Sequence, residues 1–176
     1  TLDITVDVLN AIKKDRRIAV EISNTLASFA ETLVADMSGL VLNDQGVQTA
    51  LDLVHDTVPP LFQAFSLDMD AGLIDLTFDE TIESDSLDVG GITLTYDSAT
   101  ANADSLTLDT SSLASSMAGV DSTVITVAIS IADLNALKEF GQDLATPNSF
   151  DIGISKLYLA ANAVQDMNAI SIGDIP

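Results

Sequence analysis

The sequence predicts a mainly β fold in which antiparallel strands pack as a sandwich, with one short helix in each of two repeated segments. Three observations lead to this prediction: short runs that alternate apolar and polar residues, turn signals between those runs, and a segment that recurs late in the chain. The chain has 176 residues, of which 47% are apolar, so it can bury a substantial core. Its apolar runs are all shorter than the roughly 20 residues that a helix needs to cross a bilayer.

Several runs after residue 60 have the pattern of half-buried strands. In the run 73–79 we expect Ile74, Leu76 and Phe78 to face the core and the polar residues between them to face solvent. Similar runs lie at 92–96, 106–108, 124–129, 150–154 and 156–160, with turn signals at 70–72, 90–91 and 118–121. Alternation of this kind is typical of antiparallel sheets with one solvated face, which favours a sandwich.

A short helix is predicted to begin after Ser130. Ser130 and Asp133 have the spacing of a capping box, in which the side chain at each end of the first turn accepts a backbone hydrogen bond. Apolar residues then recur at helical spacing and are expected on one face, namely Ile131, Leu134 and Leu137. Gly141 is the predicted stop.

The chain also repeats itself. Segment 1–13 recurs at 126–138, an offset of 125 residues, and segment 33–37 recurs at 163–167, an offset of 130 residues. Two matches in the same order are hard to obtain by chance, so we expect about 1.4 copies of a unit of about 125–130 residues. On this interpretation residues 1–56 are the C-terminal part of one repeat and residues 61–176 are the next. Residues 57–60, which include a double proline, form a stiff junction.

The charge balance excludes some partners. The sequence has 27 acidic and 6 basic residues and a formal net charge of −21, which disfavours nucleic acid and anionic lipid. Four of the basic residues are Lys13, Lys14, Arg16 and Arg17. They suit the C-terminal end of a helix, where cations are stabilised by the dipole, or a docking patch for an acidic neighbour. The absence of cysteine excludes disulfides and thiolate metal sites.

Four segments together resemble a known family of repeats: Asp68–Gly72, Leu76–Thr81, Ser86–Asp88 and Gly91–Leu94. They are similar to the tandem Ig-like repeats of very large secreted surface proteins of marine microbes such as diatoms and choanoflagellates. Bacterial surface-layer Ig-like repeats resemble them more distantly. The resemblance covers most of the chain and implies antiparallel Ig-like β-sandwich repeats with a structural or adhesive role at the cell surface or in the extracellular matrix. It brings no catalytic residues.

That resemblance also implies partners. Neighbouring repeats or copies of the same chain are expected, as a homo-oligomer or filament, and extracellular polysaccharide is a further candidate. Because residues 1–56 lack the first half of their repeat, we expect their strands to be completed by another repeat or subunit. No nucleic acid partner and no membrane insertion are expected.

The sequence offers little for catalysis, and we predict that the chain is not an enzyme. Its one histidine, His55, is followed by Asp56, but adjacent residues on a strand point to opposite faces and would not form a triad. Acidic pairs are common, yet a glycosidase also needs a cleft with aromatic walls, and only 5% of the residues are aromatic. A hydrolase domain is therefore the weakest alternative.

Calcium is the favoured ligand on chemical grounds, because the chain is rich in the hard oxygen donors that Ca²⁺ prefers. The predicted ligands are Asp68, Asp70, Asp79 and Glu80, with Asp85 and Asp88 as further candidates. The alternative is that these acids form a solvated face that protects strand edges from aggregation. The sequence leaves both open.

Two further features have alternative interpretations. Asp36-Met37 and Asp166-Met167 recur with the repeat, either as a ligand or junction contact or as a turn aspartate with a methionine at the edge of the core. The second function considered is a carbohydrate- or ligand-binding β-sandwich module. Its aromatic platform would have to come from Tyr96, Tyr158 and Phe62.

Overall fold

The computed structural model describes residues 3–96, 105–115, 121–140 and 155–173. The chain divides into two compact parts, Thr1–Thr57 and Val58–Pro176, called unit 1 and unit 2 below. Within the described residues, the helices are too short or too polar to cross a membrane. The predicted helix stop at Gly141 and the predicted strand 150–154 lie outside the described residues.

Unit 1 is small and open. Helix α1 (Val6–Lys14) begins at Thr5, whose side chain accepts a hydrogen bond from the Val8 backbone, and ends with two lysines in its last turn. A short antiparallel pair of strands follows, β1 (Leu26–Ser28) and β2 (Val47–Thr49). Every described residue of unit 1 is exposed or half-buried, so this unit has no buried core of its own within the described residues.

Unit 2 contains two three-stranded antiparallel sheets. The first has the order β3-β4-β7, made of Phe62–Asp68, Leu73–Ile82 and Ser122–Ala128. The second has the order β6-β5-β8, made of Ser105–Thr107, Ile92–Tyr96 and Ser155–Leu159. Helix α2 (Ile131–Phe140) lies between β7 and β8 in the chain. The described fold is therefore mainly β and antiparallel with two short α-helices, as predicted.

The alternation predicted for residues 73–79 is confirmed in β4, the central strand of its sheet. Ile74, Leu76 and Phe78 are buried, whereas the polar residues between them are half-buried. One hydrophobic cluster takes side chains from both sheets and from α2, including Ile74, Val127, Leu94, Leu159 and Leu137. The apolar row of β4 thus fixes which face of the strand is turned toward the core.

Helix α2 begins as predicted, but only half of the predicted capping box forms. The Ser130 hydroxyl accepts from the Asp133 backbone N–H at 3.0 Å. The Asp133 carboxylate does not reach back to the Ser130 N–H, which instead donates to the Ser112 hydroxyl at 3.0 Å. Asp133 Oδ2 accepts from that same hydroxyl at 2.6 Å. A residue 18 positions earlier therefore completes the cap.

The prediction that Ile131 shares the buried face of α2 is wrong. Ile131 is 80% exposed, while Leu137 is fully buried. Each step of three residues turns a helix by about 300°, so two such steps place the third residue about 120° from the first. Leu137 and Leu134 lie on the face of α2 that packs against the core, and Ile131 lies outside that face.

Gly91 permits a close approach that no other residue would allow. A Cβ at this position would lie 2.8 Å from the Ala163 Cβ, and the Gly91 carbonyl accepts from the Ala160 N–H at 2.9 Å. Gly91→Ala is expected to lower the free energy of unfolding of unit 2 by about 1–3 kcal/mol because it overpacks this contact. Gly173→Ala is the matched control, since nothing lies within 4 Å of its Cβ. Equal urea midpoints for the two variants would contradict this account.

Candidate functional site

Two aspartates that recur with the repeat form the same turn. Asp166 Oδ1 accepts from the backbone N–H groups of Asn168 at 2.8 Å and Ile170 at 2.7 Å. Asp36 Oδ1 accepts from Ser38 at 2.8 Å and Leu40 at 2.9 Å. The third residue after each aspartate has a positive φ, 62° at Ala169 and 78° at Gly39. Asp36 and Asp166 are therefore both turn aspartates, in agreement with the second of the two interpretations.

The methionines after these aspartates differ from the expectation. Met37 is fully exposed, and Met167 is half-buried. Met37 is therefore not at the edge of a core, because unit 1 has no buried core among its described residues.

Equivalent apolar positions in the two units differ sharply in burial. Val164 is completely buried, whereas Val34, at the same place in the turn of unit 1, is 55% exposed. Leu159 and Ile129 are likewise buried in unit 2, while their counterparts Phe29 and Ile4 are exposed. The two segments have the same local turn but not the same surroundings.

The elements that cover Val164 and its neighbours come from the first half of unit 2. The Asp88 N–H donates to the Ala163 carbonyl at 2.8 Å, and the Glu83 N–H donates to the Gln165 carbonyl at 2.9 Å. Strand β8 pairs with β5 over five residue pairs. In unit 1, the segment equivalent to β8 includes β1, which pairs with β2 instead. The described part of unit 1 contains no element that corresponds to β5.

Asp166 also takes part in a buried acidic pair. Carboxylate oxygens of Asp166 and Glu80 lie within 4.8 Å of each other, and the two residues are only 1% and 6% exposed. The Oδ1 atom of Asp166 is occupied by the turn, but Oδ2 is buried and has no hydrogen-bond partner among the described residues. A buried carboxylate oxygen without a partner is costly, so this pair calls for a chemical explanation.

The alternation of strand β4 and a long-range backbone bridge bring these two carboxylates together. Glu80 continues the inward row of β4 after Phe78, so its side chain falls on the buried face of the strand. Asp166 pairs with Ile82, two residues further along β4, through an isolated antiparallel bridge. Gln165 is held nearby by Ser86, whose hydroxyl accepts from the Gln165 N–H at 2.8 Å.

The other predicted calcium ligands lie elsewhere. Asp68 ends β3, and its Oδ1 accepts from the backbone N–H groups of Asp70 at 2.9 Å and Ala71 at 2.8 Å. Gly72 completes this turn with a φ of 68°. The backbone N–H groups of the hairpin therefore satisfy one oxygen of Asp68, and calcium binding at Asp68 and Asp70 stays a prediction.

Asp79 and Glu80, both candidate ligands, are neighbours on β4 and lie on opposite faces of it. Asp79 Oδ1 accepts from the Leu61 N–H at 2.8 Å on the half-buried face of β4. Glu80 is on the buried face. Asp88, a further candidate, caps a short 3₁₀ turn by accepting from the Gly90 N–H at 3.0 Å, and Asp85 lies in another such turn.

The residues considered for catalysis and sugar binding belong to several different segments of the chain. His55 is exposed in unit 1, outside the helix and strands of that unit. The Phe62 ring packs edge-on against Phe78 with centroids 5.8 Å apart, so it supports the core rather than a flat platform. Tyr158 is half-buried on β8, and Tyr96 lies on β5.

The basic cluster near residue 15 is largely paired within unit 1. Lys13 and Lys14 occupy the last turn of α1, and the Lys13 ammonium lies 2.5 Å from Asp56 Oδ2. Arg17 donates to Asp15 through Nε at 2.8 Å and Nη2 at 2.7 Å. These hydrogen bonds lower the pKa of Asp15 to about 2 and raise that of Arg17. The helix-end interpretation accounts for the two lysines.

Comparison with known proteins adds no relative, because no family model, curated protein or solved structure matches the chain. The candidate features are therefore the unequal burial of the two repeated segments and the buried pair Glu80 and Asp166. Sequence reasoning proposed Glu80 as a ligand but missed its partner. The recurrence of Asp-Met at 36 and 166 was the available signal.

Proposed function

We propose that the chain is a structural or adhesive repeat unit of an extracellular fibre or cell-surface protein, and that it has no catalytic role. In this proposal each repeat is an Ig-like β-sandwich, and residues 1–56, the C-terminal part of a repeat, are completed by strands of another repeat or subunit. The observation that carries the proposal is that Val34 is 55% exposed while its counterpart Val164 is completely buried.

The sandwich is supported by the core of unit 2. Side chains from the sheet β3-β4-β7 and from the sheet β6-β5-β8 belong to one hydrophobic cluster. A β-sandwich requires two antiparallel sheets that contribute side chains to one core, and the two sheets of unit 2 meet this requirement.

Completion by another segment is supported by the open face of unit 1. Its exposed apolar side chains include Ile4, Phe29, Leu33 and Val34, and a large exposed apolar surface marks an interaction site or an aggregation hazard. The described strands β1 and β2 form a sheet of only two strands, which leaves unpaired edges that can accept a further strand. In unit 2 the corresponding cover is provided by β4 and β5.

An extracellular, structural setting is supported by composition. A net charge of −21 without cysteine gives high solubility and leaves stability to the core, to ions or to assembly. Repeats that join end to end supply length and many weak contacts, and multivalency turns such contacts into firm attachment.

The proposal is tested by completing unit 1 artificially. Because Thr1 corresponds to Thr126, a chain with residues 58–125 duplicated in front of Thr1 would contain two whole repeats. We expect the original chain to form oligomers or filaments in electron microscopy and light scattering, and the extended chain to be monomeric. We also expect the extension to abolish binding of a hydrophobic dye and to protect the backbone around Val34 from hydrogen exchange.

Variants of the open face provide the control. Leu33→Asp and Val34→Asp are expected to prevent oligomers of the original chain and to prevent protection in the extended chain. Ser38→Asp, in the same exposed turn, is expected to change neither result. A monomeric original chain whose exposed face stays unprotected after extension would overturn the proposed assembly.

A further inference from the structure

We infer that Glu80 and Asp166 form a binding site for a divalent cation, with Ca²⁺ as the ion that fits best. This site differs from the acidic turn at Asp68 and Asp70, and it does not depend on whether the chain assembles. Both of its carboxylates belong to unit 2, and their oxygens lie within 4.8 Å of each other.

Electrostatic repulsion between these carboxylates favours a cation at the site. Two carboxylates that are 1% and 6% exposed repel each other strongly, because little water is available to screen them. A cation between them converts this repulsion into attraction. Separations below 5 Å suit two oxygens that share one ion, since Ca²⁺–oxygen distances are about 2.3–2.6 Å.

The orientation of the Asp166 carboxylate also favours a bound cation. Its Oδ1 accepts two backbone hydrogen bonds, at 2.8 Å from Asn168 and 2.7 Å from Ile170. This fixes the carboxylate and leaves Oδ2, which is buried and lacks a hydrogen-bond partner among the described residues. An oxygen held in place in this way is what a metal ligand requires, and a buried acceptor without a donor needs an explanation.

The choice of Ca²⁺ follows from the donors. The site offers carboxylate oxygens, and the chain contains no cysteine, so a soft metal has no thiolate to bind. Ca²⁺ accepts about six to eight oxygen ligands in irregular geometry, so water and backbone oxygens can fill the remaining positions, whereas Mg²⁺ requires a near-ideal octahedron.

The inferred site differs from its counterpart in unit 1, which gives a matched control. Asp36 forms the same turn as Asp166 but is exposed. The residue that would correspond to Glu80 belongs to the half of the repeat that the described part of unit 1 does not contain. Asp36→Asn therefore removes one carboxylate from the same kind of turn and leaves Glu80 and Asp166 themselves unchanged.

The experiment measures Ca²⁺ binding by titration calorimetry at about 150 mM NaCl, which is close to physiological ionic strength. Salt at this level screens diffuse binding of Ca²⁺ to the acidic surface. Asp166→Asn retains an oxygen to accept the turn hydrogen bonds but removes the negative charge. We expect it to weaken Ca²⁺ binding by about a hundredfold or more, since loss of an outer-shell group alone costs about 10- to 100-fold. Glu80→Gln is expected to act similarly, and Asp36→Asn and Asp68→Asn to leave the affinity unchanged.

Thermal unfolding provides an independent readout. Both tyrosines of the chain, Tyr96 and Tyr158, lie in unit 2, so tyrosine fluorescence follows the unit that contains the site. Ca²⁺ is expected to raise the Tm of the unaltered chain relative to a chelator, and to have no effect on Asp166→Asn or Glu80→Gln. If one of these variants fails to fold, the other still gives the test.

Three results would overturn the inference. One is a Tm of the unaltered chain that Ca²⁺ does not change. Another is an equal loss of affinity in Asp36→Asn or Asp68→Asn, which would indicate diffuse binding or a site in the acidic turn. The third is Ca²⁺ binding that Asp166→Asn and Glu80→Gln both leave unchanged, because the ion would then lie elsewhere.

Discussion

Val164→Asp is expected to unfold unit 2, whereas Val34→Asp, the same change at the equivalent position, should leave unit 1 almost as stable as before. Val164 is completely buried, and Val34 is 55% exposed. Both residues have the same main-chain contact: the N–H eight residues later donates to their carbonyl, at 3.0 Å from Ile172 and 3.1 Å from Leu42. The expected difference therefore comes from the surroundings of the side chain.

The size of the effect follows from two contributions. Loss of a buried valine side chain costs about 1.5–3 kcal/mol, and burial of an ionisable carboxyl without a partner costs several kcal/mol more. The sum is about 5 kcal/mol or more, which is comparable with the whole stability of a typical domain, about 5–15 kcal/mol. The nearby buried carboxylates of Asp166 and Glu80 would add repulsion in the same direction.

Urea unfolding followed by tyrosine fluorescence measures this effect in unit 2, because Tyr96 and Tyr158 both lie there. Val34→Asp should leave the midpoint of that transition unchanged, and its expected effect is confined to association of the chain. A folded Val164→Asp variant with an unchanged midpoint would mean that the turn at Asp166 is not packed against the core. A large shift with Val34→Asp would mean that the open face of unit 1 is covered within the single chain.

The parts of the fold that the sequence predicted well are those set by strand alternation and local turns. Ile74, Leu76 and Phe78 recur with period two, and a strand with that pattern has only one way to bury them. Ser130 occupies a helix start because its hydroxyl accepts from the N–H of Asp133, three residues later, at 3.0 Å. These are interactions between residues close in the chain, so the local sequence determines them.

Long-range contacts explain the failures. Ser112 completes the cap of α2 from 18 residues away, and Glu80 and Asp166 meet only because a bridge joins Ile82 to Asp166. A strand pattern shows that Glu80 shares a face with Phe78, but it does not show which distant residue arrives beside it. Asp79, the neighbour of Glu80 in sequence, lies on the opposite face of β4.

The repeat was visible in sequence, but its unequal burial was not. Two segments with the same turn, at Asp36 and Asp166, have the same local hydrogen bonds. Whether Val34 or Val164 is buried depends on elements supplied by other parts of a repeat. Sequence similarity therefore predicts the turn, and only the structure reveals which copy is covered.

Asp133→Ala is expected to lower the free energy of unfolding of unit 2 by about 2–4 kcal/mol. Asp133 Oδ2 accepts from the Ser112 hydroxyl at 2.6 Å and from the Asp109 N–H at 3.0 Å. Asp133 and Ser112 are both buried. Hydrogen bonds to a charged acceptor contribute about 1.5–3 kcal/mol each, and donors left without a partner in the interior are costly.

Asp133→Asn is the matched control, because its side-chain oxygen can still accept both hydrogen bonds. We expect it to cost about 1 kcal/mol, the loss of the charge alone. If Asn and Ala were equally harmful in urea unfolding, the charge rather than the acceptor would be what Asp133 contributes.

A double-mutant cycle with Ser112→Ala separates the network from its members. Ser112 joins Asp133 to the first turn of α2, because its hydroxyl both donates to the carboxylate and accepts from the Ser130 N–H. Removing either residue breaks the same connection. The double mutant should therefore lose less stability than the sum of the two single losses, by a coupling energy of about 0.5–3 kcal/mol. Full additivity would mean that the two residues stabilise unit 2 independently. In unit 1 Val8 occupies the position of Asp133 and is 51% exposed, so Val8→Ala should leave the unfolding midpoint of unit 2 unchanged.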